Sequence, residues 1–133
     1  MNLIVSSKDM NLEEEIFSAF PMVLNEPTVT DDFIEDNENI MELEGDVDYF
    51  KIVPAYMLWC IRKKDLKLVD MNTVNALAEY GRTKMKDDDY LNFMYRCSPE
   101  QKNVVLKFLK WCLTEIITVD KTQIERAMKN WLK

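Results

Sequence analysis

Only two glycines, Gly45 and Gly81, occur among 133 residues, together with four prolines. Tight hairpins draw on glycine because their central residues need a positive φ. A chain this poor in glycine cannot close the many reversals of a sandwich or barrel, so the expected class is all-α, with at most a minor strand near the start. The length is that of one domain. With 47% hydrophobic residues and 14 aromatics, folding can bury roughly two-thirds of the chain's surface without metal or disulfide staples.

Apolar spacing and capping residues place the elements. Ser7 or Asp9 can cap a first helix that ends near Phe20, before Pro21, with Leu12, Ile16, Phe17 and Phe20 on one face. Residues 21–30 read as loop or a short extended piece. Asp31 to Glu44 carries sparse apolar anchors and reads as a short helix or as an irregular arm ordered against the rest. After Tyr49-Phe50-Lys51-Ile52-Val53, Pro54 suits the first turn of a helix whose residues 55–61 are apolar on every side. Such a helix belongs at the middle of a fold, and Arg62-Lys63-Lys64 suit its C-terminus.

Asp70 can cap a fourth segment, with Gly81 as its C-cap. Asp87-Asp88-Asp89 opens a short amphipathic stretch through Met94. Ser98-Pro99-Glu100-Gln101 is a capping box with proline at the first helical position. It starts a helix expected to bury Val105, Phe108, Leu109, Cys112 and Ile116, with Asn103, Lys107, Lys110 and Thr114 toward water. Asp120-x-x-Gln123 starts a last helix with Ile124, Ala127, Met128 and Trp131 aligned. The expectation is one domain over residues 1–133, a bundle of about five to six helices around a buried central one. It comprises an acidic, irregular N-terminal part (1–48), a core (46–113) and a C-terminal helix (120–132).

Charge is unevenly spread. Residues 1–50 hold 14 acids and one base, and residues 51–133 hold 10 acids and 16 bases, giving −13 and +6 within the overall −7. From Glu26 to Asp48 there are ten carboxylates and no cation. Such a block repels phosphate, which argues against direct nucleic-acid binding by that half. Cys60, Cys97 and Cys112 form no C-x-x-C pair and sit among apolar neighbours, as reduced thiols of a cytoplasmic protein would. The opening Met-Asn-Leu-Ile-Val lacks the basic start of a secretory signal, and the longest apolar run is too short to span a bilayer. No membrane association is expected.

Catalytic signatures are sparse. The chain has no histidine, which removes Ser-His and Cys-His nucleophiles and histidine-ligated zinc. Two glycines cannot build a phosphate-cradling loop. Counting back from Gly45 puts Ile40 where the first acid of an EF-hand loop must stand, so that motif fails. Asp31-Asp32, Glu35-Asp36 and Asp87-Asp88-Asp89 are the remaining candidates for acid–base or magnesium chemistry. As charge runs they read foremost as solvated caps and surface. The expectation is no catalytic residue, no metal ligand and no cofactor.

At Asp48-Tyr49-Phe50-Lys51-Ile52-Val53-Pro54-Ala55-Tyr56-Met57-Leu58-Trp59 the sequence resembles a family of small bacterial proteins of unknown function. Its pattern is an aromatic pair followed by apolar-Pro-Ala-Tyr-Met-apolar-Trp. The same family shows Ser/Thr-Pro-Glu-Gln followed by valine and Phe-Leu, here Ser98–Gln101, Val104, Val105, Phe108 and Leu109. The resemblance covers residues 46–113, and the acidic stretch before them is shorter than the family's. Its motif residues are apolar or capping groups, which implies determinants of fold and not a catalytic set.

Family members are similar in size and acidity to immunity proteins that neutralise bacterial toxins. The expected function is therefore non-catalytic: binding a basic toxin or effector domain through an acidic surface, with Asp31, Asp32, Glu35, Asp36, Glu38 and Trp111 as the contact set. Trp111 also fits core packing, and the acids also fit a role against the protein's own basic half. An acidic nucleic-acid mimic or regulatory adaptor, and a carboxylate-dependent enzyme, are the alternatives.

Overall fold

A computed structural model describes residues 7–25, 29–45, 48–64, 68–82 and 93–132. Seven α-helices occur among them: α1 (Ser7–Ala19), α2 (Asp31–Asp36), α3 (Tyr49–Lys63), α4 (Val69–Arg82), α5 (Phe93–Arg96), α6 (Pro99–Glu115) and α7 (Lys121–Trp131). Short 3-10 turns span Pro21–Asn25 and Ile40–Glu42. No strand occurs among the described residues, so the all-α class holds. The helix number exceeds the expected five to six because the acidic stretch folds as α2 and Phe93–Arg96 closes a turn of its own. The Asp87–Asp89 stretch lies outside the described residues.

α3 occupies the centre. Every residue from Val53 to Ile61 is buried, and α1, α2, α4 and the first 3-10 turn all lie against it. All-round hydrophobicity leaves such a helix no face to give to water. It begins earlier than expected, at Tyr49, with the Asp48 carboxylate accepting the Phe50 N–H at 3.1 Å. Pro54 is therefore inside the helix, where its missing N–H leaves the Phe50 carbonyl without its i+4 donor. Burial of the surrounding side chains outweighs that loss.

α7 lies against α4 and α6, and α1 against α6 and α3. The predicted stripe of α6 is buried throughout, and its four predicted polar positions are exposed. The capping box is made as the sequence requires: Gln101 N–H donates to Ser98 Oγ at 3.1 Å, and Ser98 N–H to Gln101 Oε1 at 2.8 Å. The Gln101 amide then reaches the Ala19 carbonyl at 3.0 Å, closing the end of α1 as well. Phe93 is the hub of the aromatic core, with Phe20, Phe50, Tyr80 and Trp131 ring centroids 5.2 to 6.2 Å away.

Two capping expectations are corrected. α4 starts at Val69, which places Asp70 inside the first turn and buried. Gly81 is within α4 and is not its C-cap. A Cβ there would stand 2.9 Å from Trp131 Cδ1 and 3.0 Å from Asn130 Cβ, so glycine is what lets α7 approach α4. Trp131 is fixed at that contact by its indole N–H, which donates to the Leu77 carbonyl at 2.6 Å.

Candidate protein-binding surface

The acidic stretch is a built ledge. Thr30 Oγ1 accepts the Phe33 N–H at 3.1 Å and caps α2, where Asp31 and Asp32 complement the helix dipole. The Asn37 amide returns to the Phe33 carbonyl at 2.9 Å, and Asn39 Oδ1 caps the following 3-10 turn through Met41 N–H. Ile34 and Ile40 are the buried pins. Of the two readings open from sequence, short helix or irregular arm, the helix is the one realised.

Polar contacts then bolt this ledge to the core. Tyr56 Oη donates to the Asn37 carbonyl at 2.7 Å, and burial pushes the Tyr56 hydroxyl's pKa up to about 12, so it remains a donor through the neutral range. Trp59 Nε1–H donates to Glu35 at 3.1 Å. The Asn72 amide donates to the Glu38 carbonyl at 3.1 Å, and the Leu68 N–H to the Glu38 carboxylate at 3.3 Å. Asp31 lies 3.8 Å from the Lys63 ammonium.

The expected contact set therefore divides. Asp31, Glu35 and Glu38 are engaged with the protein's own cations and N–H groups, and only Asp32 and Asp36 stand fully outward. Glu42 and Glu44, which the expected set omitted, are exposed on the same ledge. Between its two turns lies an open recess of about 490 Å³ lined by Asp36, Asn37, Glu38, Asn39, Glu42 and Asn72. Asn72 comes from α4, a neighbour that local spacing could not reveal.

Trp111 is not on the surface. It is buried against Phe108, and its indole N–H donates to Asp9 Oδ1 at 2.8 Å. Asp9 is itself buried and also takes the Lys64 ammonium at 2.8 Å. Glu115 holds Lys64 from a third element at 3.3 Å. Hydrogen bonding to Asp9 is the foremost cause that raises the Lys64 pKa above 10.5. This network joins α1, the end of α3 and α6, and it is bought with a positive φ of 27° at Lys64.

A second concavity, about 560 Å³, runs between α1 and α6 over Leu12 and the buried Trp111. On its rim Glu15 pairs with Lys107, so those two charges cancel. Glu13 pairs likewise with Arg62. The acids of α1 thus meet the basic half of the chain, whereas the sequence reading sets the 26–48 block against it. Of that block Asp31 approaches Lys63, and among the described residues Asp32, Asp36, Glu42 and Glu44 make no ion pair.

Cys60, Cys97 and Cys112 are all buried as free thiols. Burial, foremost, pushes the Cys60 pKa well up and Cys97 to about 12, which suppresses the thiolate. Among the described residues no group of three or more Asp, Glu, Cys or His side chains is placed to hold a metal ion. No described helix is long and apolar enough to cross a membrane. In comparisons with protein-family models, with curated proteins and with solved structures, the chain matches none.

Proposed function

We propose that the protein is a non-catalytic binder whose acidic ledge recognises a basic protein partner, as an immunity or inhibitor protein recognises a toxin domain. The supporting observation is that the ledge is held in shape before any partner arrives. Two buried isoleucines, two caps and four hydrogen bonds from Tyr56, Trp59, Leu68 and Asn72, two to its backbone carbonyls and two to its carboxylates, hold the segment that carries Asp32, Asp36, Glu42 and Glu44. Carboxylates on a preorganised surface cost little further ordering on binding, and they raise the encounter rate with a cationic partner. Asp32 and Asp36 remain in the contact set, Glu42 and Glu44 join it, and Trp111 leaves it.

The test is affinity capture from bacterial lysate with the full chain at low and high salt, followed by titration of the purified partner. One basic partner, weakened by salt and by the D32N/D36N/E42Q/E44Q variant, is the expected result. Unchanged affinity in that variant would remove the ledge from the binding site. No partner at either salt would turn attention to the recess lined by Asp36, Glu38 and Glu42. Carboxylate-dependent hydrolysis is then the second reading, tested by hydrolase assays on the purified chain.

A further inference from the structure

We propose that the first turn of α4 and the adjoining recess form one docking surface, occupied by a basic protein segment that carries apolar side chains within a helical turn of its cations. The proposal rests on the ledge reading above and specifies the partner's chemistry.

The outward face of α4 follows from its burial pattern. Val69, Asp70, Thr73, Val74, Ala76, Leu77, Ala78 and Tyr80 are buried, leaving Asn75 and Glu79 partly outward farther along and, at the start of the helix, Leu68, Met71 and Asn72. These three stand at i, i+3 and i+4 and are therefore neighbours on one helical surface. Leu68 is 57% exposed and Met71 37%, the only large apolar side chains so exposed on this described helix and its leading residue. Single exposed apolar residues are ordinary on a protein surface. Here two share a turn, and that turn is fastened to the acidic ledge through Leu68 N–H and the Asn72 amide, both donating to Glu38. Asn72 is also a wall of the recess that holds Asp36 and Glu42.

The juxtaposition selects its occupant. An apolar partner without cations would strip water from Asp36 and Glu42 and leave them unpaired. A purely cationic partner would leave Leu68 and Met71 wet and forgo their burial. Protein interfaces commonly surround an apolar centre with a charged rim, and a segment with both features satisfies both neighbours. The segment from Val29 to Gly45 itself carries no cation.

The experiment uses the ¹⁵N-labelled full chain and two synthetic helical peptides of equal positive charge, one of leucine and lysine, the other with glutamine replacing leucine. The leucine–lysine peptide should shift amides within 36–42 and 68–72 and bind at least about tenfold tighter than its glutamine counterpart. The L68S/M71S variant should erase that difference while leaving the glutamine–lysine affinity unchanged; its thermal midpoint is measured alongside, because Met71 is only 37% exposed. Equal affinities of wild type for the two peptides, or shifts confined to the α1–α6 groove, would overturn the docking surface. If D32N/D36N/E42Q/E44Q still weakened both peptides, the ledge reading would stand without it. Absence of binding by either peptide would overturn both.

Discussion

At Gly81 two residue-level effects oppose each other. Alanine is favoured over glycine inside a helix by about 1 kcal/mol. The added methyl would meet Trp131 at 2.9 Å, and that ring is buried and tied to the Leu77 carbonyl. Overpacking against a fixed ring costs about 1–3 kcal/mol, so Gly81→Ala should be net destabilising by about 1 kcal/mol in urea titration. A stabilised variant would mean that α7 yields. The Tyr56 hydroxyl carries a different signature. Its folded pKa is raised from 10.0 to about 12, so its contribution is complete below pH 10 and is lost as pH rises through 12. Cys97, raised from 9.0 to about 12, acts in the same direction from pH 9 upward. The urea midpoint should therefore stay level between pH 7 and 9 as far as these groups are concerned, then fall. Tyr56→Phe should reduce that alkaline fall and cost about 1 kcal/mol at neutral pH, from the lost bond to Asn37.

At the scale of elements, the start of α6 was fully legible because every group it needs lies within four residues. Ser98, Pro99 and Gln101 make the box regardless of what surrounds them. The second task of Gln101, closing α1 through the Ala19 carbonyl, joins residues 82 apart and has no local signal. Ser98→Ala should cost about 1 kcal/mol, the usual worth of an N-cap. Gln101→Ala should cost more, about 1.5–2 kcal/mol, because it removes two hydrogen bonds at once. Denaturation of the two variants side by side checks the order, and equal costs would mean that the tie to α1 contributes nothing. α2 had the opposite history. Six residues are too few to nucleate a helix in water, so no local count could decide between helix and irregular arm. Thr30 and Asn37 cap it, but Ile34 and the bonds from Tyr56 and Trp59 hold it in place.

Across the whole molecule, the tryptophans sample separate parts of one core. Trp59 lies on α3, Trp111 on α6 and Trp131 on α7, and all three are buried. Their fluorescence and the far-ultraviolet circular dichroism should therefore report one unfolding transition with a common midpoint. Two separated midpoints would mean that the acidic ledge or the α4–α7 pair unfolds by itself. The charge asymmetry also reads differently at this scale. Glu13 and Glu15 on α1 find Arg62 and Lys107, so part of the acidic half is answered within the fold. Among the described residues the ledge has only the Asp31–Lys63 approach, which is why the binding proposal is placed there.

The sequence by itself determined the helical class, the buried α3, the α6 stripe and its cap, because glycine scarcity, apolar period and capping chemistry act within a few residues. It also located the acidic stretch that carries the proposed site. Which carboxylates remain outward, the burial of Trp111 on Asp9, the role of Gly81 and the pairing of Leu68 and Met71 with the recess were decided only by tertiary structure. Each depends on partners 30 to 102 residues away, or on a neighbouring helix. A charge or an indole in a sequence specifies what it can bond to. Whether that partner is solvent or another helix is settled by how the helices pack.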